Sequence, residues 1–164
     1  VFVTDYGYTY TVYFDFDSGI FPHEELDEYA VYMGFNCVPR QEKFDRIHDP
    51  RIGATVMRIV ANMFLFNPWY LVSYVCSAQD GQARQRFIAF GKWYGDSPME
   101  KKIGHFRRNY NGTYCGVLYS KKHPLIDELE IAFQDLNPGD KFGSGVAEPE
   151  PYYSFEEDEE MFDL

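Results

Sequence analysis

The sequence predicts a mixed α/β protein of the α+β kind, with helices packed on one sheet in the order β-β-β-α-β-α-β-β-α. Three observations carry this reading. FVTDYGYTYTVYFDF alternates apolar and polar residues about Gly7, as half-buried strands do. Ile52, Val56, Ile59, Val60, Met63 and Phe64 recur at the three-and-four spacing of a buried helix face. Asn111-Gly112 separates two arms rich in aromatic and β-branched residues, the strongest short-range hairpin signal.

Each element follows from its residues. Residues 2–6 and 9–16 form the first hairpin, and SGIFPHEELDE, with Pro22 and clustered acids, reads as a loop. Tyr29–Val38 is a third strand stopped by Pro39, and Arg40–Ile47 is a polar connector. Asp49 is a good N-cap with Pro50 at the first helical position, and the helix runs to Asn67-Pro68. Tyr70–Ser77 is apolar on both faces, as a covered central strand is. Asp80-Gly81 opens a helix with Ala83, Phe87, Phe90 and Tyr94 on one face, closed by Gly95 through Pro98. Residues 101–109 and 113–120 form the second hairpin, and Pro124 starts a last helix striped by Leu125, Leu129, Ala132, Phe133 and Leu136. Pro138-Gly139 closes a single domain over 1–138, leaving 139–164 as linker and acidic tail.

Charge is partitioned. The net charge is −11, yet residues 148–164 hold eight carboxylates and no Lys or Arg, so the rest of the chain is only −3. A self-repelling tail without a periodic apolar face is expected to be disordered in isolation. Cys37, Cys76 and Cys115 form no CxxC pair and sit in apolar strand-like segments, which predicts buried thiols in a reducing compartment. His23, His48, His105 and His123 lack metal-ligand spacing. The chain shows no charged n-region before an apolar h-region, and Arg58, Asn62 and Asn67 interrupt its longest apolar run. A cytoplasmic protein without membrane attachment is expected, and Val1 leaves open a preceding segment.

The order of elements resembles the back half of the GCN5-related acetyltransferase fold, over about residues 2–136. The motifs His48-Asp49-Pro50-Arg51, Arg84 with Arg86, and His123-Pro124 are also similar to those of an uncharacterised family of small bacterial proteins. The first resemblance implies a three-layer arrangement and an acyl-CoA contact at Arg51, Gly53, Ala54 and Arg84. The second implies no assigned activity.

The acetyltransferase pattern is only partly present. Such a loop offers consecutive backbone N–H groups to a pyrophosphate at a helix N-terminus. Here Pro50 has no N–H to give, and the Asp49 carboxylate competes for the same amides. Phe87 falls where a tyrosine hydroxyl would protonate a leaving thiolate, a task that needs the hydroxyl. No serine lies in a Gly-x-Ser-x-Gly elbow. The expectation is therefore a binding module that meets another protein, with no catalytic residue, cofactor or metal; a divergent acyl-CoA-dependent acyltransferase is the alternative.

Two features bear on partners. Lys101, Lys102, Arg107 and Arg108 make the second hairpin basic among aromatic residues, a composition that suits single-stranded nucleic acid but suits an aggregation-resistant strand face better. The tail could dock a basic groove through Phe155, Phe162 and Leu164, or cover the basic hairpin in cis. With acids in such excess, a protein partner is expected over nucleic acid.

Overall fold

A computed structural model of the chain describes residues 1–16, 19–38 and 49–136. The connector expected at 40–47, the boundary at Pro138-Gly139 and the tail lie outside the described residues. Strands β1 (Phe2–Val3), β2 (Thr9–Asp15), β3 (Ala30–Val38), β4 (Leu71–Cys76), β5 (Ile103–Tyr110) and β6 (Thr113–Ser120) form one six-stranded sheet in the order β1-β2-β3-β4-β6-β5. Only β3 and β4 run parallel; every other neighbouring pair is antiparallel. The crossover between them is α2 (Pro50–Phe66), and α3 (Ala83–Gly95) leads from β4 to the far edge, so that β6 inserts between β4 and β5. A mixed α/β fold with this alternation is broadly consistent with the acetyltransferase-like topology.

Two short elements depart from expectation, the second of them taking Lys101 from the expected start of a strand. Residues Glu24–Asp27 of the anticipated loop form α1, which buries Leu26, and Pro98–Lys101 form a 3-10 turn. The Ser97 hydroxyl accepts from Met99 N at 3.3 Å to start that turn, so Lys101 and Lys102 precede β5 and do not lie in it. The remaining helix, α4, spans Ile126–Asp135.

Local chemistry fixes the turns. Asn111 and Gly112 both adopt positive φ, 48° and 86°, as a type I′ hairpin turn requires. Two hydrophobic clusters alternate along β4. Val72, Tyr74 and Cys76 join Val56, Met57, Val60 and Phe64 of α2 and Phe90 of α3. Leu71 and Val75 join Leu26 of α1 and Leu129, Ala132 and Phe133 of α4. A strand whose neighbours point to opposite sides thus feeds both cores, as its unbroken apolar run predicted.

Tyrosine faces glycine directly across three pairs of strands: Tyr13 and Gly34, Tyr74 and Gly116, Tyr119 and Gly104. Each ring lies over the bare glycine backbone, where an added Cβ would collide with it. The pairing lets a ring cross its neighbouring strand, a cross-strand device that also restores packing lost at glycine.

Candidate functional site

The N-terminus of α2 is the first candidate. Asp49 caps it as expected, its Oδ1 accepting from Arg51 N at 3.0 Å. The same carboxylate takes Arg51 Nε at 2.8 Å and Nη2 at 2.7 Å, while Arg51 Nη1 reaches Asp5 at 2.6 Å. These hydrogen bonds, that to Asp49 foremost, raise the guanidinium pKa further above its ordinary value. Arg51 is therefore held between two carboxylates, and an anion entering the hollow of about 120 Å³ beside it would meet Asp5 and Asp49 as well.

Gly53 has a packing role. It is buried under Trp93 of α3, and a Cβ there would strike the indole. Ala54 and Arg84 are exposed, on α2 and α3. The structure joins Arg51 to the helix start, and the hollow beside it is lined by Asp5, Asp49, Ile52 and Thr55 and not by Gly53, Ala54 or Arg84.

The β3–β4 ladder is short: only Ala30, Val31 and Tyr32 pair with Leu71, Val72 and Ser73. Beyond it, Phe35 of β3 contacts Trp93 (ring centroids 6.2 Å), Trp93 contacts Phe90 (6.4 Å), and Phe90 contacts Tyr74 of β4 (4.3 Å). Aromatic side chains thus bridge the two strands where they part. Phe87 packs on Tyr114 at 5.2 Å and lies under Arg107, and the Tyr94 hydroxyl donates to Ile103 O at 2.7 Å.

A polar pair, Tyr74 buried and His105 half-buried, was invisible in the sequence. Tyr74 crosses Gly116 of β6 to place its hydroxyl 2.9 Å from His105 Nε2 on β5, with Tyr94 edge-on to the imidazole. Burial pushes His105 down to about 3, helped by nearby Arg107, and pushes Tyr74 upward. The pair is neutral at pH 7.

The basic hairpin residues are split. Arg107 lies over Phe87, 3.9 Å from the ring centroid, and donates to Phe87 O at 2.5 Å. Arg108 turns to the other helix layer and caps α4, its Nη1 donating to the carbonyls of Phe133, Gln134 and Leu136. Lys101 and Lys102 are exposed at the hairpin's base. Phe155, Phe162 and Leu164 lie outside the described residues.

Sequence reasoning missed the most exposed apolar surface. Leu65 and Phe66, at the end of α2, are 83% and 80% exposed; Phe16 and Trp69 nearby are 54% and 37% exposed. Tyr70 ties Phe66 to Phe16, stacking on the first at 6.3 Å and meeting the second edge-on at 5.7 Å. The Asn67 side chain accepts from Trp69 N at 3.0 Å and sets the loop between. The signal was present in the helix period, since Leu65 and Phe66 fall off the stripe that ends at Phe64.

The described residues hold no group of three or more His, Cys, Asp or Glu arranged to bind a metal, and no helix long and apolar enough to cross a membrane. Cys76 and Cys115 are buried and Cys37 is half-buried; all three are free thiols, and burial pushes Cys76 and Cys115 up to about 11. In comparisons with known proteins, no family model matches the chain, nor does any curated protein or solved structure.

Proposed function

We propose that this chain is a cytoplasmic, non-enzymatic binding module that contacts another protein through the aromatic end formed by Phe16, Leu65, Phe66, Trp69 and Tyr70. Membership of the small bacterial family noted above, with its acetyltransferase-like three-layer arrangement, belongs to the same proposal. The observation that carries it is the exposure of Leu65 and Phe66, 83% and 80%, with Phe66 joined through Tyr70 to the exposed Phe16. Patches of this kind mark interaction sites, and aromatic residues dominate their energetics. The test is a photo-cross-linking residue at position 66, used in the cells that make the protein. A defined protein adduct, lost in Leu65→Ser at unchanged thermal stability, is expected. No adduct, or one indifferent to Leu65→Ser, would overturn the assignment.

One observation favours a divergent acyltransferase instead: parallel strands β3 and β4 part after three residue pairs. Such a gap could admit an extended acyl-CoA chain. The aromatic bridge and the Asp49–Arg51 pair weigh against it. Coenzyme A at about 100 times its dissociation constant would add about 2.7 kcal/mol of stability. No melting shift is expected, whereas a saturable shift lost in Arg51→Ala would reverse the order of the two readings.

A further inference from the structure

The edge of the sheet away from β1 is a strip of positive charge. Residues 101–122, which hold the β5–β6 hairpin, contain Lys101, Lys102, Arg107, Arg108, Lys121 and Lys122 and no Asp or Glu. Arg107, Arg108 and Lys121 donate to backbone carbonyls, of Phe87, the end of α4 and Glu100, which leave their charge uncompensated. Three carboxylates adjoin the strip: Glu100 precedes it, Glu130 lines a hollow with Arg107 and Arg108, and Asp135 lies between Gln134 and Leu136, whose carbonyls accept from Arg108. The strip remains strongly positive in a chain whose net charge is −11. Among the described residues β5 has a strand neighbour only on its β6 side; the Ile103 carbonyl at its start accepts from the Tyr94 hydroxyl, and the outer backbone groups beyond it, from His105 to Asn109, are open to an added segment. An unpaired edge is a template for an added segment, and a cationic one selects an anionic segment.

The route of the chain supplies the occupant. Described structure ends at Leu136, whose carbonyl accepts from Arg108 Nη1 at 2.8 Å, so its last residue lies beside β5. Glu148, the first acid of the tail, follows 12 residues later. An extended chain of that length reaches up to about 40 Å, and an eight-residue strand spans about 27 Å. Every point of the strip is within reach. Tethering holds the tail there at an effective concentration on the order of millimolar.

We infer that the outer edge of β5 and the lysines at its base form a binding surface for an acidic segment, occupied in cis by residues 148–164 of the same chain. The assignment is independent of the aromatic end, whose residues it does not use.

The test is zero-length carbodiimide cross-linking of the full chain, mixed as light and isotopically heavy copies, with the joined peptides read by mass spectrometry. Adducts between Lys101, Lys102 or Lys122 and residues 156–160 are expected, within single copies. They should fade near 1 M salt, where the Debye length is about 3 Å. In Lys101→Glu/Lys102→Glu, two exposed positions, the adduct at Lys122 should fall several-fold because the field that seats the tail is reversed. The inference is overturned by adducts that favour Lys92 on α3, by yields that ignore salt, or by adducts that join only light to heavy copies. It is likewise overturned if the Lys122 adduct persists undiminished in the double variant.

Discussion

Protonating His105 should loosen the fold well above the range in which most carboxylates titrate. The half-buried imidazole packs against Tyr74, Phe90 and Tyr94, with Arg107 the nearby cation, and its pKa falls from 6.5 to about 3. Between those values the unfolded chain binds a proton that the folded chain refuses, so stability falls as pH falls. Each unit of difference is worth about 1.36 kcal/mol, and from pH 7 to pH 5 the loss comes to about 2 kcal/mol. Because pH 5 still lies above the folded value, that figure depends mainly on the unfolded one. Urea unfolding at pH 7, 6 and 5 measures it. His105→Gln keeps a polar group against the Tyr74 hydroxyl but cannot titrate, so its stability should drop by about 2 kcal/mol less over the same interval. His123 adds a residual slope of the same sign. Its pKa is lowered by burial, and both ring nitrogens are engaged, Nδ1 accepting from Leu125 N at 3.1 Å and Nε2 meeting Trp69 O at 3.1 Å. A His105→Gln protein as acid-sensitive as the parent would refute the reasoning.

Three further outcomes are expected. Gly116→Ala places a Cβ 2.6 Å from the Tyr74 ring, and should cost about 1–3 kcal/mol by overpacking, read as a lower urea midpoint. Arg108→Met removes the cation that holds the carbonyls of Phe133, Gln134 and Leu136 at the end of α4; a loss of about 1–3 kcal/mol, with faster amide exchange confined first to Leu129–Leu136, is expected. Asp49→Ala should cost about 1 kcal/mol through the lost N-cap and leave Arg51 with Asp5 alone; if the acyltransferase reading were right, this variant would bind coenzyme A better than the parent in calorimetry.

What was legible in the sequence is what short-range chemistry decides. Asp49-Pro50 and Asn111-Gly112 specify a helix start and a type I′ turn within a few residues, and both are where they were expected. The stripe from Ile52 to Phe64 declared its buried face because 3.6-residue periodicity is a property of the segment alone. A four-residue helix such as α1 is too short to show a period. The insertion of β6 between β4 and β5 is a matter of pairing across the chain, and no local pattern encodes it. The Tyr74–His105 pair depends on that insertion, since Tyr74 reaches β5 only by crossing Gly116.

The candidate site was harder to read because the same residue types serve packing and binding. A glycine in the first turn of a helix, two residues after a basic residue, can let a phosphate approach the backbone, or let another helix approach. Gly53 does the second, and the deciding residue, Trp93, lies 40 positions away on α3. Arg107 and Arg108 suggested one basic surface, yet consecutive residues of a strand point to opposite sides, so one lies over Phe87 and the other caps α4. That separation follows from the period of two once the segment is taken as a strand. It also changes what the hairpin can do: its charges cannot converge on one face, and they act together only along the strand's outer edge, where an extended acidic segment could meet residues from both sides at once.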